Sequence, residues 1–381
     1  SIDAEAAVKA GALAVITAKD LPFIEASLFI PRYHPSVCKA PPKLLATDRV
    51  RYVGEPVALV VAADRYAAED FAALVDVDYR PLDVVATSEA AVKSGTPVIH
   101  EAWPGNIAAA FPNTVGNTEV ALASAPRRLQ RTFRYGRQTG LPLETRGCVA
   151  DYDSGRNGLT LWTSTQVHYA VRQNLSMLLG VPEYDVRVVS DDVGGGFGSK
   201  SRVYLEEILI GHASRVLRRP VKWIEDRVES LQATTHSRAF DTTIEVGYDD
   251  QGRISALKER VVVDVGAYIF TSGIVTAEVA SSHAMGPYKI PNMSIDVVCV
   301  GTNKCPLATY RGSGQPEATF PLECMIDLVA KDLKLSAAEV RARNLIAPSD
   351  LPHPVNTSYA GPCAIESGDF PAMLKQGVAS S

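Results

Sequence analysis

Apolar and polar positions fall into two α/β stretches with a break between them. Residues 4–10 are Ala-rich and helical in character, and residues 12–17 are an apolar run of strand length. The β-branched run 56–62 predicts a buried strand. Residues 65–74 carry apolar side chains at helical spacing, with Asp64 in position to cap the helix. Val75-Asp76-Val77-Asp78-Tyr79 then alternates with the period of a half-buried strand. Strand, helix and strand in this order predict a compact βαβ-like unit within a small domain over residues 1–90.

Across 91–125 the prolines and glycines Pro97, Pro104, Gly105, Pro112 and Gly116 interrupt every pattern, which predicts a surface linker. Residues 126–350 predict a larger α/β domain, with strands at 159–163, 186–189 and 260–265. A helix over 168–179 is closed by Gly180 and Pro182, one over 203–217 is stopped by Pro220, and one over 316–333 has proline in its first turn. Ser336 and Glu339 have capping-box spacing ahead of 340–345. Residues 351–381 form a tail rich in Pro, Ser and Gly. The fold class is therefore mixed α/β.

Composition narrows the function classes. The 381 residues are 46% hydrophobic and 21% charged, which excludes a disordered or coiled-coil chain. A net charge of −5 gives no general basic footprint for nucleic acid. Apolar runs such as 57–63 are far shorter than the ~20 residues that span a bilayer. The six cysteines contain no Cys-x-x-Cys pair, so the chain is expected to ligate no metal or iron–sulfur cluster by itself. Free thiols fit a reducing, cytoplasmic compartment.

The densest local signal is Asp191-Asp192-Val193-Gly194-Gly195-Gly196-Phe197-Gly198-Ser199-Lys200-Ser201. Such glycines let the backbone approach a ligand and point successive N–H groups one way, between an incoming strand and an outgoing helix. A tight structural turn is the alternative. A P-loop and a dinucleotide fingerprint both nearly fit, and both lack the glycine required where Ser199 stands. A nucleotide-binding protein using 194–201 thus remains a rival reading. A second glycine turn, Tyr310-Arg311-Gly312-Ser313-Gly314-Gln315-Pro316-Glu317, feeds a helix N-terminus. Thr163-Ser164-Thr165-Gln166 lies between a strand and a helix, where Gln166 either donates to a ligand oxygen or caps the loop.

Taken together and in order, these segments resemble the molybdenum hydroxylases, the family of xanthine dehydrogenase and the aldehyde oxidoreductases. The likeness runs through Thr165-Gln166, Arg172, Leu175, Gly180-Val181-Pro182, Val186-Arg187-Val188 and the glycine loop to Lys200. Arg51-Tyr52-Val53-Gly54-Glu55-Pro56-Val57-Ala58, Leu143-Glu144-Thr145-Arg146-Gly147-Cys148 and 310–317 extend it over nearly the whole chain. The resemblance implies an α/β hammerhead domain followed by the first molybdenum-cofactor-binding domain. It implies molybdopterin, in its cytosine dinucleotide form, held by Gly195, Gly196, Phe197, Gly198, Arg311, Gly312 and Ser313. Gln166 would be the catalytic residue, bonding an oxygen ligand of molybdenum. Ser201 and Ser313 would line the substrate pocket.

In the implied reaction a glutamate deprotonates a molybdenum hydroxide, and the water-derived oxygen attacks an electrophilic carbon. Hydride passes to a sulfido or selenido ligand, and electrons leave through 2Fe-2S clusters and FAD on partner subunits. The glutamate belongs to a second molybdopterin-binding domain in the family. Here Glu144, Glu206, Glu207 and Glu317 read as structural or surface residues, so a second chain or domain is expected to supply the base. Relatives also usually have strands before the position of Ser1. The copper-binding cysteine of carbon monoxide dehydrogenase would fall at Gly312, which disfavours that chemistry. Xanthine oxidoreductases carry Glu and Phe where this chain has Ser201 and Ser313, which weakens purine hydroxylation. An aldehyde or an N-heteroaromatic ring is the expected substrate. A non-catalytic scaffold of the same fold is the further alternative.

Overall fold

The computed structural model describes residues 1–23, 35–38, 40–355 and 363–380. Near the N-terminus, strand Ala14–Thr17 pairs antiparallel with Ala58–Val61, and Ile2–Asp3 pairs antiparallel with Asp76–Val77. Helices Glu5–Ala10 and Arg65–Ala72 accompany them, the second capped by Asp64, whose side chain accepts the Ala67 N–H. The βαβ expectation is corrected here. The strands on either side of helix Arg65–Ala72 join different two-stranded ladders, because each finds its partner N-terminal to 18 rather than in the other.

Two larger sheets follow. The smaller runs Val221–Ile224, Gly147–Asp153, Gly158–Thr163, Val186–Val189, and only its last pair is parallel. Helices His168–Leu179 and Leu205–Leu217 pack on it. Val171, Leu175, Ile208 and Leu161 are buried in that core, which also takes in Ile16, Leu44, Leu45 and Val61 from the N-terminal region. The larger sheet runs Ile107–Val115, Met293–Gly301, Ile254–Gly266, Ser237–Tyr248, Arg127–Gln138. Its core is closed by helices Thr271–His283 and Gln315–Leu333.

The segment 91–125, expected as an irregular linker, instead contains the edge strand Ile107–Val115 and the helix Thr118–Ser124. Pro112 sits opposite Asp296 within the ladder, a position tolerated because an edge strand needs hydrogen bonds on one side only. The strand expected at 260–265 is twice as long, Ile254–Gly266. Ser336 and Glu339 do form the reciprocal capping box at helix Ala337–Asn344. The tail carries a regular helix, Phe370–Ser380.

Topology positions the candidate site. Gly158–Thr163 and Val186–Val189 are parallel neighbours in register from Leu159↔Val186 to Trp162↔Val189, so both chains leave the sheet at the same edge. Parallel strands commonly present ligand-binding turns at their carboxyl ends. One exit carries Gln166 and the other carries the glycine loop.

Candidate cofactor site

The two strand exits are stitched together. The Gln166 N–H donates to the Lys200 carbonyl at 3.0 Å, and the Gly198 N–H donates to Gln166 Oε1 at 3.0 Å. With Oε1 engaged, the carboxamide is oriented. Its Nε2 has no partner among the described residues. Within the loop, the Ser199 N–H and hydroxyl both donate to the Gly196 carbonyl, and the Ser201 N–H donates to the Gly198 carbonyl. Tyr204 closes the exit from below, donating its hydroxyl to the Ser199 carbonyl.

The second glycine turn joins this surface. The Arg311 N–H donates to the Phe197 carbonyl at 2.8 Å, and the Arg311 guanidinium lies 5.2 Å from the Phe197 ring centroid. Arg238 secures the turn from inside. One of its nitrogens donates to the Arg311 carbonyl at 2.8 Å and another to Glu317 at 2.9 Å, with both side chains buried. The Tyr310 N–H donates to the Ser237 hydroxyl. Arg238 was not foreseen in the sequence. The one available signal was Glu317, an acid in the first turn of a helix that the fold must bury with a cation.

The residues expected from the sequence to hold the cofactor therefore come together. Gln166, Gly195, Gly196, Phe197, Gly198, Arg311, Gly312 and Ser313 lie on one hydrogen-bonded surface. Ser201 and Ser313 share no bond with each other. The Ser201 hydroxyl donates to the Gly198 carbonyl, and the Ser313 hydroxyl shares bonds with Thr276 and Thr309. Positive φ belongs to Gly195 at 100° and Gly198 at 98°, not to Gly196. Gly196 is required by contact, since a Cβ there would lie 2.4 Å from Gln166 Oε1.

Lys200 rules out a P-loop. Its side chain is 1% exposed and its ammonium sits 2.7 Å from Glu144, away from any phosphate position over the loop. The following helix begins only at Leu205. Glu144 is also the acceptor for the Gly194 N–H and the Ser164 hydroxyl. Partial burial opposes its ionisation, but Lys200, Ser164 and Gly194 together hold its carboxyl below the ordinary range. Beneath the loop, Arg146 is buried against Glu206 and Glu225 and stacks 3.8 Å from the Tyr204 ring centroid. Glu207 accepts from the Tyr204 N–H and the Thr163 hydroxyl, and burial pushes its carboxyl up to about 7. These acids are engaged in structure, as expected of them.

The surface fits an acceptor-rich cofactor. The N–H groups of Gly196, Phe197 and Gly312 have no partner among the described residues, and beside them stand the open Gln166 Nε2 and the exposed Arg311. No group of three or more His, Cys, Asp or Glu side chains among the described residues could hold a metal ion.

Comparison with known families accords with that chemistry. A model described as molybdopterin cofactor-binding domain matches residues 99–345, and one for the a/b hammerhead domain of aldehyde oxidase and xanthine dehydrogenase matches 1–83. The chain belongs to the molybdenum hydroxylase family. It is 36% identical to the nicotine 6-hydroxylase large subunit of Paenarthrobacter nicotinovorans, over 87% of this chain and 42% of that protein. It is 34% identical to the carbon monoxide dehydrogenase large chain of Hydrogenophaga pseudoflava, over 96% of this chain and 46% of that one. The quinoline 2-oxidoreductase structure from Pseudomonas putida 86 superposes with a TM-score of 0.93 at 33% identity, covering all of this chain and 48% of its counterpart. The chain thus spans about half the length of these relatives. It is a hammerhead domain followed by a molybdopterin-binding domain, and no helix among the described residues is long and apolar enough to cross a membrane.

Proposed function

We propose that this chain is the cofactor-binding part of a multi-subunit molybdenum hydroxylase that oxidises an aldehyde or N-heteroaromatic substrate with water-derived oxygen. The observation that carries the proposal is the Gln166 carboxamide. Gly198 fixes its oxygen, leaving Nε2 as a preorganised donor beside three backbone N–H groups that have no partner among the described residues. The cofactor, in its cytosine dinucleotide form, would supply the two-electron oxidation. Gly195, Gly196, Phe197 and Gly198 would cradle it from one side, with Arg311, Gly312 and Ser313 on the other. Gln166 would hold a cofactor oxygen by donating one hydrogen bond. Ser201 and Ser313 would border the substrate.

The general base would come from a second chain or domain, since the glutamates near the loops are committed: Glu144 to Lys200, Glu206 to Arg146, Glu317 to Arg238. Partner subunits would carry 2Fe-2S clusters and FAD. Carbon monoxide is disfavoured as substrate. Gly312 has φ 101°, and a Cβ there would meet Pro316 Cγ at 2.7 Å, so a cysteine does not fit this turn. A cytoplasmic setting accords with the buried free thiols of Cys148, Cys299 and Cys305.

The test is purification of the native complex, with molybdenum measured by mass spectrometry and cytidine monophosphate measured after acid hydrolysis. Substrate classes would then be compared by the rate at which each reduces the metal. Stoichiometric molybdenum and reduction by an aldehyde or N-heteroaromatic are expected. A folded native complex without molybdenum or pterin would favour the scaffold reading instead.

A further inference from the structure

One carboxylate oxygen gathers three parts of the site. Glu144 Oε2 accepts from the Gly194 N–H, the Lys200 ammonium and the Ser164 hydroxyl, each at 2.7 Å. Gly194 is the head of the glycine loop, Lys200 its tail, and Ser164 the turn that carries Gln166. The circuit then closes on itself. The Lys200 carbonyl takes the Gln166 N–H at 3.0 Å, and Gln166 Oε1 takes the Gly198 N–H at 3.0 Å. The Glu144 N–H returns to the Gly194 carbonyl at 3.2 Å.

The charge has a definite place in this ring. Lys200 is 1% exposed and Glu144 is its one ionic partner among the described residues, whereas Glu144 is 39% exposed and reaches water. The buried ammonium therefore depends on the carboxylate more than the reverse, because an uncompensated buried cation is costly. All three bonds on this carboxylate oxygen are charge-assisted and so stronger than neutral ones.

We infer that Glu144 and Lys200 form an internal charge lock, and that both are positioning residues that set the glycine loop and Gln166 in the geometry able to receive the cofactor. This rests on the cofactor-binding reading above and adds what holds that site in place. The pair acts through Gly194, Ser164 and the Lys200 backbone, so its loss is felt as loosening of 191–201 rather than of the sheets behind it.

The test uses the complete protein with its partner chains and two variants, Glu144→Gln and Lys200→Met. The second keeps the inference falsifiable if the first fails to fold, because it leaves no lone buried charge: Glu144 can turn to solvent. Hydrogen exchange read by mass spectrometry on peptides covering 191–201 is expected to accelerate about 10- to 100-fold in either variant. Peptides from the large sheet should stay unchanged. Cofactor per folded complex should fall, and the spin-resonance signal of the reduced metal in the loaded fraction should shift, as is also expected of a Gln166→Leu control. A role confined to stability would lower the melting temperature without moving that signal. Unchanged exchange across 191–201 in a folded variant would overturn the lock. If the wild-type complex held no cofactor but its loop still loosened in the variants, the lock would stand and the cofactor reading would fall.

Discussion

The Arg311 N–H donates to the Phe197 carbonyl at 2.8 Å, which makes one surface of two glycine turns more than a hundred residues apart in sequence. That bond depends on where Arg238 holds the Arg311 carbonyl, and Arg238 in turn is held by Glu317. Local glycine chemistry supplies the N–H groups, but a buried ion pair between strand Ser237–Tyr248 and helix Gln315–Leu333 aligns them.

Glu317→Gln should therefore cost both stability and cofactor. Both side chains are almost fully buried, so removing one charge strands the other, at about 3 kcal/mol or more. Denaturant unfolding of the variant should show a midpoint well below wild type. Its molybdenum content should fall in the same preparation. A midpoint equal to wild type would mean that solvent reaches Arg238.

Gly196→Ala should disable the site without unfolding the protein. Its Cβ would lie 2.4 Å from Gln166 Oε1 and 2.6 Å from Cδ, so the side chain of Gln166 must move. The expected loss resembles removal of a preorganised donor, ~10²-fold or more in turnover. Thermal unfolding should shift little, because the backbone at 196 is not in the left-handed region. Wild-type turnover with full loading would show that Gln166 is displaced without consequence.

The core of the large sheet carries a pH-dependent liability. Glu259 is buried between Ile244 and Ile295 in register, its Oε1 has no partner among the described residues, and burial pushes its carboxyl up to about 8. The folded state keeps this proton while the unfolded chain, near 4.5, releases it. Stability from this group is thus fully present below pH 4.5 and is lost as pH rises through about 8. The slope is at most about 1.4 kcal/mol per pH unit. Glu259→Met should flatten the stability profile between those limits. Parallel wild-type and variant profiles would refute the burial of a protonated carboxyl.

Legibility in sequence followed local physics. Helix His168–Leu179 was read at its true bounds because its spacing and its Gly180-Val181-Pro182 stop are local. Both glycine turns were visible because glycine clusters are. Strand Arg127–Gln138 was not, since an edge strand with Arg127, Arg128, Arg131, Arg134 and Arg137 reads as a charged surface run. Helix Thr271–His283 has no apolar stripe: Ile274, Thr276, Ala280 and Ser282 are buried at positions spread around the helix, so helical periodicity vanishes. In the site, Gln166 and the loop were legible, but the partner of Lys200 lies 56 residues away and could come only from the fold.

Gln166 gives the most direct test. Its Oε1 accepts from the Gly198 N–H, so that half of the carboxamide is structural, and Nε2 is the half left to donate. Gln166→Glu preserves size, reach and the bond from Gly198, while replacing the donor by a second anionic acceptor. The loop should stay in place and the complex should assemble with most of its molybdenum. Reduction of the metal by substrate should slow by ~10²–10³, the usual cost of one preorganised donor at a reacting centre. Rapid mixing of the loaded variant with substrate reads that step alone, apart from electron transfer to the partner subunits. A wild-type rate there would mean that Gln166 serves only to cap the glycine loop through Gly198. A slow rate with an intact loop would assign the defect to the missing Nε2 donor, because every other contact of the side chain is kept.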